Sequence, residues 1–291
     1  QNNIQFGAHE LIAGAEISKD RVSSTNDFDV TSRDNKAVFT QGLLDFSPFA
    51  IQASLRYDDN EAYGDEVTGS LALGYDLDNY HTLRASVGTA FKAPSFNDLY
   101  WPDSGNPDLN PETSETVEVG VRGQYSQWFW DLAAFQNDYD DMIAWAPTSS
   151  GLWAPQNVNS ARIRGAELSS GVEVNDWTLQ AAFTYLDPED RATGNRLARR
   201  ATQSVRLDAD RELGDWSLGG SLVAQSYRYD NTTNTQRLGG YGLVNLRAGW
   251  QFAPLWSARV TLENAFDKEY STTRDYINAG RAGFLSVHFG Q

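Results

Sequence analysis

Three histidines, His9, His81 and His288, are the only imidazoles in the 291-residue chain, and cysteine is absent. Thiolate nucleophiles, thiolate metal sites and disulfide frameworks are therefore excluded. The histidines are far apart and show no H-E-x-x-H or comparable metal spacing. Two acidic clusters, Asp58-Asp59-Asn60-Glu61 and Asp138-Tyr139-Asp140-Asp141, fall in or beside long connections. Oxygen-rich loops can hold Ca²⁺, but neither cluster has the EF-hand spacing. The plainer reading is a solvated acidic surface. Calcium is thus the one metal left open, with no ligands assigned and no cofactor expected. The 39 Asp and Glu outweigh the 23 Lys and Arg, for a net charge of −16. No nucleic-acid partner is expected, because such a partner needs a basic face.

The elements that must position these residues are extended. No uncharged apolar run reaches the roughly 18 residues of a membrane helix. The first residues, Gln1-Asn2-Asn3-Ile4, have no basic or apolar region of signal-peptide type. Apolar and polar residues alternate almost end to end. Trp256, Ala258, Val260 and Leu262 share one face, while Ser257, Arg259, Thr261 and Glu263 share the other. The same period of two runs through Trp177-Leu179-Ala181-Phe183-Tyr185 and Phe49-Ile51-Ala53-Leu55-Tyr57. A soluble sandwich would alternate too. A membrane barrel is favoured because many segments reach the 9–11 residues, roughly, that cross a bilayer as a tilted strand. The polar face also carries mid-strand charges, Arg84, Glu118, Arg206, Asp208, Arg247 and Arg259, that a wet lumen tolerates and a packed core does not. Trp128, Trp130, Trp177, Trp216, Phe252 and Trp256 fall at strand ends, as in an interfacial girdle.

Short connections near 45–48, 77–80, 124–127, 174–176, 212–215 and 253–255 alternate with long ones. The long ones are near 24–34, 58–65, 93–112, 142–160, 187–199, 230–239 and 267–280. Short periplasmic turns and long external loops are the rule in outer-membrane barrels, so the long set is placed outside. His9 and His81 then fall at inner turns and His288 in the last strand. None lies at the external boundary where a Ser-His-carboxylate site would work, so no enzyme is expected. The expected fold is an all-β transmembrane antiparallel β-barrel of about 14 full strands plus a fragment at Asn3–Phe6.

Four stretches resemble the TonB-dependent outer-membrane transporters. They are Gly88-Thr89-Ala90-Phe91-Lys92-Ala93-Pro94-Ser95-Phe96-Asn97-Asp98-Leu99-Tyr100, Asn106-Pro107-Asp108-Leu109-Asn110-Pro111-Glu112, Arg164-Gly165-Ala166-Glu167, and Glu263-Asn264-Ala265-Phe266-Asp267-Lys268-Glu269-Tyr270. Pro94, Pro107 and Pro111 break pairing where strands leave a sheet, and Asn264 and Asp267 suit a strand-to-loop exit. Within that family the likeness is to the cobalamin receptors, through Leu197-Ala198-Arg199-Arg200-Ala201-Thr202-Gln203 and Tyr270-Ser271-Thr272-Thr273-Arg274-Asp275-Tyr276-Ile277-Asn278-Ala279-Gly280-Arg281. The resemblance implies a Gram-negative outer-membrane location and import of cobalamin (vitamin B12) or related corrinoids, energised by TonB. It covers residues 1–291 as the C-terminal portion of a barrel of about 22 strands. Nothing in the sequence resembles the family's N-terminal plug, through which TonB is engaged.

Carried over residue by residue, the resemblance makes Arg199 a substrate contact, with Arg200 second. Guanidinium donors suit a corrinoid's amides and phosphate; the alternatives are a solvated loop charge or a lipopolysaccharide contact. Tyr276 becomes a contact in the last long loop, with an interfacial girdle tyrosine as its alternative. Tyr229, at the start of the preceding loop, is a weaker candidate. Uptake of a siderophore or haem on the same fold is the nearest rival function, since fold does not fix substrate. A passive porin is more distant. Outer-membrane lipid and lipopolysaccharide are the expected surroundings.

Overall fold

A computed structural model describes residues 1–148 and 151–290. Ser149 and Ser150, in the expected loop 142–160, and Gln291 at the chain end lie outside the described residues. The chain is extended throughout. Its first strands are β1 (Asn2–Phe6), β2 (His9–Arg21), β3 (Ser32–Phe46), β4 (Phe49–Asn60), β5 (Gly64–Asp76) and β6 (His81–Lys92). A one-turn helix, α1 (Phe96–Tyr100), precedes β7 (Glu112–Gln124), β8 (Trp128–Pro147) and β9 (Trp153–Val174). Then come β10 (Trp177–Asp190), β11 (Gln203–Leu213), β12 (Trp216–Gln225), β13 (Arg228–Tyr229) and β14 (Arg237–Leu238). The last strands are β15 (Tyr241–Ala253), β16 (Trp256–Glu263) and β17 (Ala282–Phe289). The main sheet has 15 strands in chain order, with β13 and β14 set apart as a hairpin. That matches the expected full strands plus the short first one.

The chain forms two compact units. The first comprises residues 1–119, 135–163 and 190–194. Its ladders from β1 to β6 are antiparallel and pair consecutive strands. On the polar face Arg56 grips the Asp58 carboxylate at 2.7 and 2.8 Å and reaches Glu16 at 3.4 Å. Arg84 meets Glu118 at 3.2 Å, and Arg162 meets Asp138 at 2.6 Å. Helix α1 has a reciprocal cap: the Ser95 hydroxyl accepts from the Asp98 N–H while Asp98 accepts from the Ser95 N–H. It buries Leu99.

The second unit comprises residues 120–134, 164–189 and 195–291, with Gln291 undescribed. Its register alternates by face. Leu179 pairs with Ala209 and Ala181 with Leu207, while the intervening Gln180 faces Asp208 and Ala182 faces Arg206. Arg247 on β15 bonds Asp210 through Nε at 2.6 Å and lies 3.5 Å from Asp208, which also holds Arg206. Short turns suit the strand twist. Asn175 and Asp176 both have positive φ, 49° and 64°, as a two-residue hairpin turn with mirror-image geometry requires. At Gly123 a side chain would have to displace the Trp130 indole, because an added Cβ would lie 2.3 Å from Trp130 Nε1.

The apolar face is open rather than buried. Among the described residues only Ala37, Leu99, Leu109, Ala133 and Ala161 are buried hydrophobics, whereas Leu246, Val260 and Leu285 are 48 %, 52 % and 72 % exposed. A water-soluble sheet protein would put these residues inside. Aromatic rings gather beside the short turns, as expected. Trp216 stacks on Trp250 at 5.1 Å, and Trp256 lies against Phe252 and Phe289.

Two expected loops are corrected. The connection expected over 58–65 is only Glu61–Tyr63, because β4 and β5 stay paired out to Asn60 and Gly64. Polar side chains extend that ladder: Asp58 accepts from Asn35, and Asn60 donates to Asn35. The connection expected over 142–160 also shortens, since β8 runs to Pro147 and β9 begins at Trp153. Asn157 supports this extension by donating to the backbone carbonyls of Asn110 and Asp141. In both places pairing continues beyond the apolar alternation, which had marked the strand ends too early.

Candidate functional site

The long connections of the second unit carry all four residues singled out from the sequence. Arg199 sits in the connection between β10 and β11 with a left-handed φ of 60°. Its N–H donates to the Tyr229 carbonyl at 2.6 Å, and its Nε donates to Asp230 Oδ1 at 3.0 Å. Asp230 Oδ1 also accepts the Arg274 N–H at 3.1 Å. One carboxylate therefore ties three connections together: 195–202, 226–240 and 264–281. The Arg274 N–H, then the Arg199 guanidinium, hold the Asp230 carboxyl below the ordinary carboxylate range.

Arg199 spends one donor on Asp230, and its side chain is 56 % exposed. The terminal guanidinium nitrogens remain available to a ligand. Arg200 beside it is exposed. Tyr229 is half-buried in the hairpin of β13 and β14, where its ring meets Tyr227 edge-on at 5.9 Å. Tyr276 is 72 % exposed at the tip of its connection, bridged through its backbone to Thr273. Ser271 Oγ donates to the Tyr276 carbonyl. The structure thus gathers Arg199 with Tyr229 directly, and brings the segment bearing Tyr276 to them through Asp230. Among the described residues, the side chains of Arg200 and Tyr276 form no hydrogen bond, ion pair or ring contact with the other candidates.

The strand exit before that segment behaves as the sequence indicates. Asn264 has a positive φ of 48°, accepts from the Lys268 N–H at 2.8 Å and donates to the Lys268 carbonyl at 3.0 Å. Asp267 accepts from the Arg281 N–H at 2.8 Å, closing the base of the loop. Sequence reading missed a second layer. Tyr227 lies between Arg237, 3.8 Å from its ring centre, and Arg196, whose Nη1 donates to the Tyr227 hydroxyl at 2.8 Å. Asn234 clasps the backbone of Arg196 from both sides. The run Tyr227-Arg228-Tyr229 was the available signal, an alternation of rings and a cation beside a long loop.

The other candidate groups are engaged elsewhere. Asp58 and Asp138, central to the two acidic clusters, are taken up by Arg56 and by Arg162 with Gln136. Among the described residues no group of three or more His, Asp or Glu is placed to hold a metal ion. His81 pairs with Asp78 in its turn, and His9 accepts from the Asp45 N–H.

The family model for TonB dependent receptor-like β-barrels matches residues 3–265. The chain is 36 % identical over 295 aligned residues to the vitamin B12 transporter BtuB of Photobacterium profundum, covering 99 % of this chain and 49 % of that protein. It is 34 % identical to BtuB of Vibrio vulnificus, covering 96 % of this chain and 47 % of that one. It therefore spans about half the length of the curated relatives it matches. Among solved structures it resembles the ferric enterobactin receptor PfeA of Pseudomonas aeruginosa, with a TM-score of 0.84 at 18 % identity over 99 % of this chain and 52 % of that one. It also resembles the siderophore receptor PirA of Acinetobacter baumannii, with a TM-score of 0.82 at 20 % identity over 99 % and 53 %. Identities this low speak for a shared fold alone.

Proposed function

The chain belongs to the TonB-dependent receptor β-barrels, transporters of the Gram-negative outer membrane, and from that premise we propose that it serves import of cobalamin or a related corrinoid. Membership makes it part of a transport protein and not an enzyme. The open apolar face is then the lipid-facing surface, and the charged face lines the lumen. Import is driven by TonB.

The observation that carries the substrate assignment is the Asp230 clasp. It presents Arg199 at the meeting point of three connections that lie outside by the loop-length rule. Arg199, with Tyr229 and Tyr276, offers guanidinium donors, hydroxyls and flat apolar area. Those are the groups a corrinoid's amides, phosphate and ring periphery call for. Arg200 extends the same cationic edge. The two relatives named as vitamin B12 transporters support the same reading. Uptake of a siderophore or haem is the second reading, favoured only by the fold shared with the siderophore receptors.

The test is calorimetric titration of the full-length protein in detergent with cobalamin, beside a ferric siderophore, with and without Ca²⁺. Saturable binding of cobalamin alone is the expected result. Binding of the siderophore alone moves the substrate and leaves the transporter barrel standing.

A further inference from the structure

One guanidinium in the second unit lies on the wrong face. On β10, β11, β12 and β15 the polar face carries Arg206 and Arg247, each holding a carboxylate. Arg211 has the opposite parity. It pairs across the sheet with Trp177 on one side and Leu218 on the other, both exposed apolar residues. Its guanidinium lies 5.5 Å from the centre of the Trp177 ring. Its Nε is buried and has no hydrogen-bond partner. Among the described residues no carboxylate pairs with it. A half-buried cation without a carboxylate partner leaves guanidinium donors open to an anion.

Next to Arg211 the same face is hollow. A groove of about 500 Å³ runs over Leu179, Ala181, Leu207, Ala209, Gly220 and Leu222. The hollow arises because the small residues Ala181, Ala209 and Gly220 stand beside the large leucines. Ala209 is two residues from Arg211, about 7 Å along the strand. The groove therefore begins where the cation ends and leads toward the middle of the membrane. Arg211 itself stands near the short turns at Asn175-Asp176 and Gly214-Asp215, level with Trp177 and two residues from Leu213, which pairs with Trp216 beside Trp250. Rings of this kind sit at headgroup depth. Short turns face the periplasm, the side on which the outer membrane is built of glycerophospholipid.

We propose that this face binds one glycerophospholipid, its phosphate on Arg211 and one acyl chain in the groove over Ala181, Ala209 and Gly220. The occupant follows from charge and depth. The guanidinium needs an anion with bidentate oxygens, and the hollow beside it takes a flexible hydrocarbon. The inference uses the outer-membrane location but does not depend on which nutrient is imported.

The experiment is native mass spectrometry of the full-length protein in detergent, titrated with dioleoyl phosphatidylglycerol or with dioleoylglycerol, which lacks the phosphate. The wild type retains one phosphatidylglycerol and little dioleoylglycerol. Arg211→Gln lowers retention about tenfold or more, as loss of a charge-assisted contact implies. Gly220→Leu, which fills the groove and leaves the cation, lowers it as well. An Arg259→Gln control on the polar face leaves retention unchanged. Wild-type retention in either Arg211→Gln or Gly220→Leu overturns the proposal, as does equal retention of dioleoylglycerol. Should Arg211→Gln fail to fold, Gly220→Leu and the phosphate-free lipid decide.

Discussion

Arg199→Ala is the perturbation that weighs most directly on the substrate assignment. Arg199 is fixed at two points, its N–H on the Tyr229 carbonyl and its Nε on Asp230. Truncation removes the second and leaves the first, so the loop backbone keeps its position. What disappears is the pair of terminal guanidinium nitrogens proposed to meet the ligand. A hydrogen bond to a charged group contributes about 1.5–3 kcal/mol. The side chain is 56 % exposed, which places the loss at the lower end, about 1.5 kcal/mol, or roughly a tenfold rise in the dissociation constant for cobalamin. Arg199→Lys keeps the charge but not the fork, and is expected to recover only part of the affinity. The assay is calorimetry on the full-length protein in detergent, with circular dichroism to show that the strand content is intact. A dissociation constant within twofold of wild type for a folded Arg199→Ala would remove Arg199 from the site.

Three further outcomes are expected. Tyr276→Ala, added to Arg199→Ala, weakens cobalamin binding by a further roughly 1 kcal/mol, the size of an ordinary neutral hydrogen bond; calorimetry of the double variant checks it, and simple additivity would show that the two contacts are independent. The Asp230 clasp titrates below the usual carboxylate range. Its contribution is present above the unfolded value of about 3.9 and is lost as pH falls through the lower folded value. Cobalamin affinity is therefore flat between pH 5 and 8 on account of this group and falls only on stronger acidification; Asp230→Asn removes that acid limb, and an unchanged pH profile would contradict the clasp. Gly123→Val forces a side chain into Trp130 and destabilises the barrel by about 1–3 kcal/mol, read as a lower urea midpoint in detergent.

The sheet was legible in the sequence because a period of two is the same statement as a face. Trp177-Leu179-Ala181-Phe183-Tyr185 reads as a strand and is found paired along that whole length in β10. The connections were less legible. Apolar alternation stops where the membrane stops, whereas pairing stops where backbone partners run out. At Asp58 and Asn60 side-chain bonds to Asn35 and Arg56 carry the ladder further than any apolar pattern could reveal. Helix α1 was invisible for another reason: a single turn has no period, and only the pair Ser95 and Asp98 marks its start. For the site, the resemblance supplied Arg199, Arg200, Tyr229 and Tyr276. It did not supply Asp230, which joins their segments, because an aspartate in a polar loop looks like every other. The contact between Arg196, Tyr227 and Arg237 depends on two loops meeting, and spacing along one chain carries no trace of it.

The near-absence of buried apolar side chains has a consequence for how this protein responds to substitution. In a packed core a truncated leucine leaves a void that its neighbours cannot close, and the cost rises with the volume of the void. Leu246, Val260 and Leu285 have no such neighbours on their outer side. There the complementary surface is a fluid that flows into any space it is offered. Truncation at these positions costs the transfer free energy of the lost methylenes, about 0.8 kcal/mol each, and little more. Effects at separate positions should then sum almost linearly. The face thus tolerates drift in shape while forbidding drift in polarity, and it is at the few closely packed contacts, such as Trp130 over Gly123, that shape itself is under constraint.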